Sequence, residues 1–153
     1  MKKAEEAVKV FADGYNCAQA VLSVFAPETG LTREQAMKVS CGFGGGMGRQ
    51  GEMCGAVTGA IMALSVHRAS AELDEAAKAR AYAAVRQFFE EFRKQNGSVE
   101  CRELLGCNIG TEEGMRQARE SGVFKMRCPG FVENAVKIVQ ELLVENADRL
   151  KQN

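Results

Sequence analysis

The chain has 153 residues, the length of one ordinary domain, and 46% of them are hydrophobic, so it can bury a core without disulfide staples. Lys plus Arg number 20 and Asp plus Glu number 20. That balance argues against a broad electrostatic grip on nucleic acid or on an anionic membrane. The opening MKKAEEAVKV carries Glu5 and Glu6 where a secretory signal would need an apolar run, and no stretch reaches the ~18 apolar residues of a membrane span. These features predict a cytoplasmic protein without membrane insertion. In a reducing compartment the six cysteines would be buried small hydrophobes, metal ligands or reactive thiols rather than permanent staples.

In chain order, residues 2–12 predict a first helix with Ala4, Val8 and Phe11 on one face, broken by Gly14. Asn16 is a good N-cap for a second helix, CAQAVLSVFA, ending at Pro27. Thr32 caps a third, REQAMKVSCGF, with Glu34 and Gln35 in its first turn. From Met53 a helical pattern resumes. Val57, Ala60, Ile61 and Leu64 fall at i, i+3, i+4 and i+7, and the other faces are also mostly uncharged, which predicts a helix at the centre of a bundle.

A long helix follows from Glu72 or Asp74 to about Gln95, with Ala77, Ala81, Val85, Phe88 and Phe92 facing inward and Gly97 as its stop. Ser98 predicts the cap of a short helix that holds Cys101 and ends at Gly106. Thr111 caps another, reaching about Ser121. Pro129 suits a first helical position, which puts Cys128 at the N-cap of a last helix whose stripe is Val132, Ala135, Val136, Val139, Leu142 and Leu143. No strand alternation or internal repeat is visible. Residues 1–153 therefore predict a single all-α domain of about six to eight helices around the helix that starts near Cys54.

Residues 41–59, CGFGGGMGRQGEMCGAVTG, place seven glycines and two cysteines in their first fifteen positions, just before that central helix. A P-loop needs Lys and then Ser or Thr after its last glycine, and Glu52 and Met53 stand there instead. A dinucleotide fingerprint needs a preceding strand, where residues 33–43 read as helix. Phosphate binding is thus poorly supported, although Arg49 could meet an anion.

Sulfur chemistry fits better. Cys17, Cys54 and Cys128 all fall at predicted helix starts, where exposed N–H groups and the helix dipole favour a thiolate. Cys54 is on this reading the most reactive of the six. The bland reading is that Gly55 and Gly59 only let helices pack closely. There is no C-x-x-C and no C-x-x-C-H, so a thioredoxin-like dithiol, a zinc ribbon and covalent haem all lack their signatures. His67, the sole histidine, suits a helix end or the surface better than a metal.

NCAQAVL at 16–22, GGGMGRQGEMCGAVTGAIM at 44–62, CRELLG at 101–106 and CPGFVENAVKIV from Cys128 together resemble the C_GCAxxG_C_C family, small bacterial and archaeal proteins described as redox-active. The resemblance spans roughly residues 10–145. It implies that Cys17, Cys54, Cys101 and Cys128 form one redox site, with Cys54, Gly55, Ala56 and Gly59 filling the CGAxxG motif. It implies that Gly46, Gly48, Gly51, Gly55 and Gly59 shape the loop and motif. Cys41 and Cys107 fall outside the set. Three functions stay open: thiol–disulfide chemistry with a redox partner or small-molecule substrate; a metal or iron–sulfur cluster on the same cysteines for electron transfer; and a non-enzymatic role beside a membrane transporter, since members are often encoded next to transporter genes.

Overall fold

The structure, a computed structural model, describes residues 2–151 and the side chains of residues 2–145. Among them are nine α-helices and no strand. Helix α1 (Lys2–Ala12) buries Ala4, Ala7 and Val10 against α2 and α9. The buried face is thus centred one position away from the expected Ala4–Val8–Phe11 line. Small Ala4 and Ala7 sit at the contact, while Val8 and Phe11 are only partly buried.

Helix α2 (Cys17–Val24) buries every residue from Ala18 to Val24 except Gln19. Its start is set by Asn16, whose Oδ1 accepts from the Gln19 N–H at 3.0 Å while the Gln19 side chain accepts from the Asn16 N–H at 3.1 Å. Pro27 does not simply end this helix. It sits in the first turn of a separate four-residue piece, α3 (Ala26–Thr29), closed by Gly30 at φ +76°. Thr32 and Gln35 form the same reciprocal cap for α4 (Arg33–Ser40), which tightens into a 3-10 turn at Cys41–Phe43.

Helix α5 (Gly55–Arg68) is the centre of the bundle. Val57, Ala60 and Leu64 are fully buried, Ile61 partly, and the helix packs on α2, α3, α6 and α9. Helix α6 (Glu75–Asn96) starts where Asp74 accepts from the Ala77 N–H at 3.0 Å and stops at Gly97, φ +89°. Four of its five expected inward residues are buried, and Val85 is only partly so.

Helix α7 (Cys101–Leu105) has Glu100, not Ser98, as its N-cap residue. Ser98 instead accepts from the Glu100 N–H at 3.0 Å, a turn before the helix. Helix α8 (Glu112–Ser121) is capped by Thr111 at 3.0 Å from the Gly114 N–H and closed by Gly122, φ +70°.

Helix α9 (Val123–Lys151) corrects the expected start at Pro129. It begins straight after Gly122, so Cys128 lies in its second turn and not at an N-cap. Pro129 lies inside the helix, where its missing N–H leaves the Lys125 carbonyl without an i+4 donor. The buried stripe of Val132, Ala135, Val136, Val139 and Leu142 outweighs that local cost, with Leu143 packed at its edge.

Asn16 also donates from Nδ2 to the Cys41 carbonyl at 2.9 Å, tying the start of α2 to the end of α4. Asn16→Ala is expected to lower stability by about 1–2 kcal/mol, because cap and tie are lost together. Asn16→Asp, which keeps the cap acceptor but cannot donate to Cys41, should fall between. Urea unfolding midpoints decide this. Equal stability of Asn16→Ala and wild type would show that neither bond holds the junction.

Candidate functional site

Two stretches of backbone build the site. In the glycine loop, the five consecutive residues Gly45 to Arg49 have φ values of +64, +70, +68, +58 and +62°, a left-handed turn. It is closed by Gly48 N–H to Gly42 C=O at 2.8 Å and Glu52 N–H to Gly46 C=O at 2.9 Å. Only glycine takes this conformation without cost, and Met47 and Arg49 are held in it by the neighbouring turn. At Gly46 a Cβ would lie 2.8 Å from Cys101 Cβ and 2.5 Å from the Glu52 nitrogen, so the loop backbone rests directly on Cys101.

The second stretch is a single β-bridge, Met53 with Glu100. Around it the Cys54 N–H donates to Val99 C=O at 2.8 Å and the Cys101 N–H donates to Glu52 C=O at 2.6 Å. This clamp sets the start of α5 beside the start of α7, and with them Cys54 beside Cys101. Gly55 does the same toward α2. A Cβ there would come within 3.1 Å of Cys17 Cβ and 2.9 Å of the Ala18 nitrogen.

Cys17, Cys54, Cys101 and Cys128 all line one cavity of about 610 Å³, a volume in the range of small-molecule sites. Each comes from a different helix or its cap: Cys17 begins α2, Cys54 caps α5, Cys101 begins α7, and Cys128 is in α9. Cys54, Cys101 and Cys128 are buried and Cys17 half-buried. Gly46 and Gly55 also line the cavity. Gly48, Gly51 and Gly59 are elsewhere. A Cβ on Gly51 would meet the Asn108 side chain at 2.7 Å, and one on Gly59 would meet the Ala18 carbonyl at 2.8 Å, so Gly59 serves the close packing of α5 on α2.

Cys41 is exposed, Cys107 is half-buried, and neither lines the cavity. His67 is in the last turn of α5, away from it. All six cysteines are free thiols. Among the described residues no three His, Cys, Asp or Glu side chains are gathered so as to hold a metal ion, so the cysteines share a cavity without forming a ready donor set.

The four sulfurs differ in acidity. A hydrogen bond shared between the Cys17 and Cys128 sulfurs is the leading influence on the acidity of both. That bond, and then burial, hold Cys17 well above the ordinary 9.0, while the same bond brings Cys128 below it, so Cys128 is the more acidic member. At Cys54 the expected helix-start effect exists, since the Ala56 and Val57 N–H groups favour its thiolate. Burial outweighs them and pushes the thiol up to about 11. Burial, and then the neighbouring Cys54 and Cys128, push Cys101 up to about 12. The raised acidity expected at Cys54 is found instead at Cys128, which acquires it from a sulfur neighbour rather than from a helix end.

Residues to which the sequence assigned no role in a site complete the cavity. Val8, Phe11, Leu104, Leu105, Phe124 and Phe131 form apolar walls, while Arg119 and Lys125 join Arg49. The stripe holding Val8 and Phe11, the CRELLG and CPGF stretches and Arg49 in the glycine loop were the hints in the sequence; Phe124, Arg119 and Lys125 had none.

The family model described as “Putative redox-active protein (C_GCAxxG_C_C)” matches residues 15–142. Searches of curated proteins and of solved structures gave no match. The matched span contains all four cavity cysteines and the whole glycine loop.

Proposed function

The chain belongs to the C_GCAxxG_C_C family, described as redox-active, and from that premise we propose that it is a thiol–disulfide exchange protein with Cys17 and Cys128 as its couple. The observation that carries this reading is that Cys17 and Cys128, from two helices distant in sequence, line one substrate-sized cavity, and their mutual influence makes Cys128 the more acidic. Cys128, the more acidic member, attacks one sulfur of a disulfide, forming a mixed disulfide and releasing a thiolate. Cys17 then loses its proton to solvent and attacks the Cys128 sulfur. This forms the Cys17–Cys128 disulfide and releases the second thiolate. The protein loses two electrons and two protons, and the substrate disulfide gains the electrons. A dithiol reductant restores the starting state. Cys54 and Cys101, held neutral at neutral pH, line the cavity without competing as nucleophiles.

Oxidation with one equivalent of diamide is expected to join Cys17 to Cys128 within one chain, read by peptide mass mapping. Equilibration against glutathione buffers is expected to give a single two-electron transition that Cys17→Ser and Cys128→Ser each remove. Disulfides found only between chains through exposed Cys41, with Cys17 and Cys128 still reduced, would sink the reading.

A further inference from the structure

The cavity has a one-sided charge. Arg49, Arg119 and Lys125 line it, and no Asp or Glu does. All three are exposed, so their charged ends meet solvent at the cavity rim. Among the described residues none of the three makes an ion pair, although Lys3, Lys38, Arg102, Arg116 and Lys137 each do. A chain with zero net charge has thus placed three unneutralised cations around one opening, drawn from the glycine loop, α8 and α9. Below them the walls are aliphatic and aromatic, and the sulfurs lie among them. Apolar walls select an apolar body, and a cationic rim with no carboxylate selects anionic groups on it and repels cations.

We infer that the substrate disulfide is a small organic anion, an apolar body bearing carboxylate or similar negative groups, held by Arg49, Arg119 and Lys125 with its S–S bond toward Cys17 and Cys128. This rests on the thiol–disulfide reading and adds the substrate class to it. The exchange is the one written above: two thiolates leave as anions, and the protein retains the Cys17–Cys128 disulfide.

Two probes separate the charge from the chemistry. Dithiobis(2-nitrobenzoate) is an aromatic disulfide with two carboxylates, and 4,4′-dithiodipyridine is an aromatic disulfide that is neutral at pH 7. The full chain carrying Cys41→Ser and Cys107→Ser gives the background without the two thiols outside the cavity. The measured quantity is the ratio of rate constants, anionic over neutral probe, for forming the Cys17–Cys128 disulfide. Adding Arg49→Gln, Arg119→Gln and Lys125→Gln is expected to lower that ratio at least about tenfold, and raising salt is expected to erode it in the background protein by screening. A ratio unchanged within about twofold, with the disulfide still forming, overturns the substrate class and leaves the redox reading standing. If neither probe yields the Cys17–Cys128 disulfide, the redox reading fails and takes the substrate class with it.

Discussion

At pH 7 in the reduced protein, Cys128 is expected to be alkylated by iodoacetamide about tenfold faster than Cys54. Both are buried to a similar degree, at 7% and 5% exposure, and both line the same cavity, so access does not separate them. Acidity does. With Cys128 below 9.0 and Cys54 at about 11, the thiolate fractions at neutral pH differ by at least about a hundredfold. The more basic thiolate is intrinsically the better nucleophile, which returns about a factor of ten. Both rates rise with pH, because the thiolate is the reacting form. Cys128 should level off at a lower pH than Cys54, which should still be climbing toward pH 11.

The cause is tested by Cys17→Ala, which removes the hydrogen-bond donor and should slow Cys128 at pH 7 and move its profile upward. Cys17→Ser keeps a hydroxyl donor and should retain part of the rate. Site-resolved mass spectrometry across a pH series reads all of this. If Cys54 is labelled as fast as Cys128 at pH 7, or if Cys17→Ala leaves the Cys128 profile in place, the acidity ordering is wrong.

Gly46→Ala should be among the most damaging single substitutions in the chain, costing about 3 kcal/mol or more. Two costs add. The residue sits at φ +70°, where an L side chain loses about 1 kcal/mol, and its Cβ would press on the Glu52 nitrogen and on Cys101 Cβ at 2.5 and 2.8 Å. The first contact is backbone and cannot swing aside. Gly48 provides the matched comparison. It has φ +58° but nothing within 4 Å of a built Cβ, so Gly48→Ala carries the conformational cost alone, about 1 kcal/mol. Denaturant midpoints should separate the two variants clearly. Any folded Gly46→Ala protein should also label faster at Cys101, whose cover has been lifted. Equal loss from both substitutions would mean that the loop does not rest on Cys101.

Local chemistry was legible at four helix starts where the partner lay within a turn, and misleading at Ser98, whose hydroxyl closes the turn before α7 instead of capping that helix. Asn16, Thr32, Asp74 and Thr111 cap helices as their spacing predicts, because each bond spans only three residues. The central helix was legible for a related reason, since its composition is apolar on nearly every face. Cys128 was misplaced because Pro129 is a strong local start signal. The competing signal, α9 starting against Gly122 and continuing through the proline, depends on burial along the whole helix. The glycine loop announced its freedom but not its hand. Nothing local says that Met47 and Arg49 join the left-handed run. The acidity order was illegible for the same reason that Arg119 and Lys125 were. Cys17 and Cys128 are 111 positions apart, and burial at Cys54 is a property of its neighbours.

Assembly from four distant segments also has a meaning in time. During synthesis Cys17, Cys54 and Cys101 emerge first, and Cys128 follows with the last long helix. Until α9 docks on α1, α5 and α6, the sulfur of Cys128 does not stand beside Cys17. Each thiol of the nascent chain is then ordinary, mostly protonated at neutral pH and slow in exchange. The contact that distinguishes Cys128 spans 111 positions, so it cannot form before nearly the whole chain has been made. On the thiol–disulfide reading the chain thus carries its own delay, since the acidic member of the couple is the last of the four cavity sulfurs to be made.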